Sequence, residues 1–186
     1  MTITVKQTTA DIWRFWDNGY YVVVPTNLFV TRDGRAVMGA GLARDVANKW
    51  PQAPLWYAYH IKEHISRAQD GRNPHMEDVN LYDLLVVHPE WRFIFFPVKT
   101  AWQQPARKTL IKASFDSLAL LLTKPMMEHV QVAIPRVGCG NGALDWETDV
   151  KPIMREFLEG LDDQYRAKLT IVHPPEEFTV GQTDYR

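Results

Sequence analysis

A single lysine interrupts an apolar and aromatic run at 95 to 102, FFPVKTAW, and Lys99 in that setting has a choice of chemistries. In an apolar cleft its ammonium is poorly solvated, its pKa falls, and the neutral amine is a nucleophile able to attack a sugar C1. As an ammonium it neutralises a phosphate or pairs with a carboxylate. Fully exposed, it is only a surface charge.

Two loops of small residues offer an anion site. In PTNLFVTRDGRAVMGAGLARDVANKW (25 to 50) a strand ends at Pro25, Thr26 and Asn27, and Gly39, Ala40 and Gly41 then open a helix, flanked by Met38 and Leu42. Small residues admit a ligand to the backbone, and free first-turn amides at the positive end of the helix dipole suit a phosphate. In IPRVGCGNGALDW (134 to 146) a second strand runs through Arg136 into Gly138, Cys139, Gly140, Asn141, Gly142, Ala143 and Leu144. Two such loops on one α/β sheet can hold a pyrophosphate together. Neither is a Walker loop or a GxGxxG.

Other residues compete for a chemical role. Cys139 is a candidate nucleophile without an evident base, and a lone cysteine also packs as a small apolar residue. Asp145 is either a general base or the N-cap of the helix that begins near Trp146. His60 and His64 of HIKEH, with Glu63, fit the HxxEH pattern of zinc hydrolases, against a solvated helix face. No second helix with a completing glutamate is evident, so neither a metal nor a cofactor is expected.

These residues need strands to deliver them. Runs at 3 to 5, 20 to 26, 81 to 87, 91 to 98, 130 to 135 and 169 to 172 read as strands. Leu42, Val46 and Trp50, and Ile111, Phe115, Leu118 and Leu122, repeat at helical spacing. Runs such as VVV and FIFF are apolar on both sides of the pleat and need cover on both faces. The expectation is a three-layer α/β/α sandwich, its central sheet mixed because HPE makes a tight turn between two strands. Polar residues 66 to 78 read as a surface loop. With 186 residues, 46% of them hydrophobic, we expect one domain over 1 to 175 and an irregular tail over 176 to 186.

The formal charge of −1 provides no general attraction to nucleic acid or anionic membrane, and the one cysteine excludes an internal disulfide. No basic segment leads into a long apolar one, so we expect a soluble, cytoplasmic monomer.

In chain order these segments resemble a macrodomain, the ADP-ribose-binding fold, from about residue 3 to 172. Ala10, Asp11 and Ile12 resemble the family's Gly-Asp-Ile, whose Asp contacts the adenine amino group. Val24 to Asn27 resemble the strand end whose Asn faces the distal ribose. Met38 to Leu42 resemble the first phosphate loop, and Arg136 to Leu144 the loop that wraps the diphosphate and distal ribose. Phe96, Pro97, Val98, Lys99 and Trp102, with Leu144, Asp145 and Trp146, are similar to the branch holding terminal ADP-ribose protein glycohydrolase and the DarG antitoxin.

The resemblance implies an ADP-ribosyl hydrolase acting on ADP-ribosylated DNA or protein, with Lys99 as the catalytic amine at the distal ribose. An ADP-ribose 1″-phosphate phosphatase and a non-catalytic ADP-ribose reader are the alternatives. One departure matters: the glycohydrolase carries an Asp two residues after Gly-Cys-Gly, where this chain has Gly142. The DarG-like pattern is Gly-rich there. Arg107, Lys108 and Lys112 are candidates for a DNA-backbone contact, against a solvated helix face.

Overall fold

The structure is a computed structural model and describes residues 5–62 and 71–175. Its centre is a six-stranded sheet of β1 (Lys6–Thr9), β2 (Tyr21–Asn27), β3 (Val86–His88), β4 (Phe93–Lys99), β5 (Val132–Pro135) and β6 (Leu169–His173). The spatial order is β1-β6-β5-β2-β4-β3, and only β3 with β4 is antiparallel.

The central strands are apolar in both parities, and both parities are covered. Val22 and Val24 of β2, with Phe93 and Phe95 of β4, pack on the layer of α1 (Trp13–Asp17), α2 (Gly41–Lys49) and α3 (Ala53–Ile61). Val23, Ile94 and Phe96 pack on α4 (Lys108–Leu122) and α5 (Lys151–Glu159). A short α6 (Asp163–Arg166) leads into β6. The three-layer α/β/α sandwich with a mixed sheet is therefore observed.

Spacing explains α4. Ile111, Phe115, Leu118 and Leu122 fall on one face and are all buried. Phe115 meets Phe96 edge-on at 4.9 Å and stacks on Phe157 of α5 at 4.8 Å, joining sheet, α4 and α5.

Some limits differ from the sequence reading. The run at 81 to 87 becomes strand only at Val86, because Asp83 takes a φ of +55° and the Leu84 amide donates to Ser117 Oγ (2.9 Å) instead of a neighbouring strand. The first strand begins at Lys6, past the run at 3 to 5, of which residues 3 and 4 lie outside the described residues. In the polar loop, Met76–Asp78 form a 3-10 turn. His173 closes β6, while the tail 176 to 186 lies outside the described residues. Among the described residues no helix is long and apolar enough to cross a membrane.

Phe115→Ala should cost about 3–5 kcal/mol of unfolding free energy by urea titration, since it empties the junction of three elements.

Candidate functional site

Topology opens a crevice where the glycine loops lie. From the end of β2 the chain travels toward the β4 side of the sheet, and from the end of its neighbour β5 it travels toward β6. Connections that diverge at the carboxyl ends of adjacent parallel strands leave a cleft between them.

The first loop is fixed by Asn27. Its Nδ2 donates to Val37 O (2.8 Å) and its Oδ1 accepts from Phe29 N (3.0 Å), so one amide ties both ends of the loop. Met38 is buried, whereas Gly39, Ala40 and Gly41 are exposed. Gly41 has a φ of +54°, a conformation that favours glycine, and begins α2, whose first-turn amides have no helical acceptor.

The second loop is folded on itself. Leu144 N donates to Gly138 O (3.1 Å), Ala143 N to Gly140 O (2.9 Å), and Ala106 N, just before α4, to Gly142 O (2.8 Å). The amides of Gly140, Asn141 and Gly142 have no acceptor among the described residues. A Cβ on Gly41 would lie 3.8 Å from Asn141 Nδ2, so the two loops face each other.

Lys99 joins them to β4. It is the register partner of Asn27 across the β2–β4 ladder, and the residue is 9% exposed. The amine donates to Asn141 O in the second loop and to Trp102 O (3.4 Å), reaching past the end of β2. Burial pushes its pKa below the ordinary 10.5. A neutral amine with both N–H groups on these carbonyls still has its lone pair free.

Not every residue singled out in the sequence faces the crevice. Arg136 Nε donates to His173 Nδ1 (2.8 Å), and its guanidinium lies 5.4 Å from the Trp146 ring centre. That donation leaves the proton of a neutral His173 on Nε2, facing Gln7 Oε1 at 3.2 Å. Cys139 is half-buried, and desolvation raises its thiol to about 11, so it is protonated at neutral pH. Leu144 and Leu42 pack partly into the two cores. Asp145 is the cap: Thr148 N (2.8 Å) and Thr148 Oγ1 (3.0 Å) donate to its Oδ1, and these bonds hold its pKa below 3.8.

Asp11 and Ile12 lie just past β1, with Ala10 N bonded to His173 O (3.0 Å) and the exposed Asp11 carboxylate accepting from Trp13 N (3.0 Å). From β1 to β4 the sheet runs about 19 Å at ~4.8 Å per strand, so Asp11, the two loops and Lys99 form a line along one edge. In HIKEH, His60 packs on Trp56 at 4.2 Å while Glu63 and His64 lie outside the described residues. No metal-binding cluster occurs among the described residues. Lys108 pairs with Asp149 and Lys112 with Glu156 (2.6 Å), which neutralises the α4 cations.

Sequence reasoning missed Ala106 and His173. A small residue just before α4 was the one available sign of the first; nothing local marks the second as a partner of Arg136, 37 positions away.

This assembly is the macrodomain fold, in the form found in DarG proteins. The chain superposes on the macrodomain of Mycobacterium tuberculosis DarG with a TM-score of 0.63 at 22% identity, covering 93% of this chain and 99% of that one. Thermosipho africanus DarTG, solved in complex with ADP-ribose, gives 0.60 at 19% identity over 95% of this chain and 43% of that one. In sequence, a DNA ADP-ribosyl glycohydrolase of Thermus aquaticus is 33% identical over 128 residues, 68% of this chain and 32% of that protein. The chain spans about a third of the length of the curated relatives it matches. No family model matches it.

Packing at Gly142 leaves no room for a side chain in the second loop. A Cβ there would collide with Gly138 O and lie 2.8 Å from Ala106 Cβ. Gly142→Ala and Gly142→Asp should each cost about 2 kcal/mol in urea unfolding.

Proposed function

We propose that this chain binds ADP-ribose along the C-terminal edge of its sheet and hydrolyses the bond from the distal ribose to an attached group. The observation that carries the reading is the buried Lys99 amine, held by the carbonyl of a glycine loop beside a cleft with unpartnered amides. In this reading Asp11 meets the adenine amino group. Amides of Gly39 to Leu42 and of Gly140 to Gly142 grip the diphosphate from two sides. Lys99 attends C1″.

The amine's lone pair forms a bond to C1″ as the bond to the attached group breaks; that group leaves with the electron pair and takes a proton. Water then replaces the lysine, freeing ADP-ribose and restoring the amine. DNA is the favoured attachment, supported by the names of the sequence relatives and by a second loop that is Gly-rich at 142.

A second reading, an ADP-ribose reader without turnover, is favoured by the absence of any carboxylate bonded to Lys99 among the described residues. Calorimetry with ADP-ribose and release assays on base-linked and glutamate-linked conjugates separate the two. Hydrolysis predicts that Lys99→Met retains ADP-ribose binding and loses about a thousandfold in release. The reader predicts binding without release by the parent.

The pH dependence has a definite sign. The reactive amine is the deprotonated form, so kcat/KM should rise about tenfold per pH unit and level off below pH 10.5, the ordinary lysine value. A profile flat from pH 6 to 10 contradicts the nucleophile.

A further inference from the structure

Trp102 stands apart from the protein's other tryptophans. Trp13, Trp16, Trp50, Trp56, Trp91 and Trp146 each pack against another aromatic ring. Trp102 has no ring partner among the described residues and is 49% exposed. Its backbone is nevertheless fixed. Thr100 and Ala101 before it are fully buried. Thr100 Oγ1 donates to Gln104 Oε1 (2.9 Å), Gln104 N donates to Ala101 O (3.2 Å), and the Trp102 carbonyl accepts from Lys99. A large ring is thus presented to solvent from an ordered turn, bonded directly to the amine at the cleft.

Charge narrows what meets it. Lys108 and Lys112, on the helix that follows, are already paired with Asp149 and Glu156, and Arg107 donates to Gln104 Oε1 (3.2 Å). Gln104 is neutral, so the exposed Arg107 keeps its charge; with both lysines paired, one cation is left for a phosphate, and most of the grip on a nucleic acid at this mouth has to come from something other than its backbone. Bases stack on an exposed aromatic ring. A glutamate ester has no π-face to offer.

We propose that the Trp102 indole is the stacking platform for a nucleobase carried on C1″ of the distal ribose, and that it selects base-linked over carboxylate-linked ADP-ribose. This rests on the function proposed above. The ring acts as a specificity residue and takes no part in bond breaking.

The test measures dissociation constants in the non-hydrolysing Lys99→Met chain for free ADP-ribose, a short single strand bearing ADP-ribose on a base, and a glutamate-linked ADP-ribosyl peptide. The base-linked strand should bind about tenfold tighter than ADP-ribose, and the peptide should show no such gain. Trp102→Ala should bring the ratio to about one, Trp102→Phe should keep most of it, and the gain should change little from 50 to 200 mM salt. An equal gain for the peptide, a gain that survives Trp102→Ala, or one that salt abolishes would overturn this inference alone. Failure of both the parent and Lys99→Met to bind ADP-ribose would overturn the proposed function as well.

Discussion

The bond from the Lys99 amine to the Asn141 carbonyl organises the cleft. It runs from the end of β4, past β2, to the loop that follows β5, and so ties the end of one strand to the loop of another across the cleft mouth. Burying a lysine is unfavourable unless its N–H groups find acceptors, and here two main-chain carbonyls supply them. The same burial lowers the amine's pKa. The contact positions the loop, and burial, not the contact, brings the amine toward its reactive form.

The glycines impose the second constraint. Gly142 is packed against Gly138 O and Ala106, and in the same loop the consecutive amides of residues 140 to 142 have no acceptor among the described residues. The same packing leaves no room for a side chain, and so for a carboxylate, at position 142. Asp145, committed to capping the next helix, does not stand in for it. Any proton the leaving group takes must come from water or from the lysine.

Much of this was legible from residue types. VVV and FIFF announced a sheet covered on both faces, the spacing of Ile111, Phe115, Leu118 and Leu122 announced α4, and two runs of small residues after strands marked both loops. What stayed hidden involves groups with no signature in the sequence. The acceptors of Lys99 are backbone carbonyls, which every residue has. Arg136 turns to His173 because β5 and β6 are neighbours in the sheet, a fact of topology. Leu81 to Leu85 look like strand by composition, yet a hydroxyl on α4 takes the Leu84 amide. Tertiary context overrode local preference there.

Function at this cleft rests on main-chain amides of two facing loops holding one diphosphate. Amide chemical shifts in a 15N-labelled sample titrated with ADP-ribose test it most directly. Amides of Gly39, Gly41, Gly140 and Gly142 should all shift, along one binding curve. Binding of the nucleotide while the amides of either loop stay in place would contradict a two-loop grip.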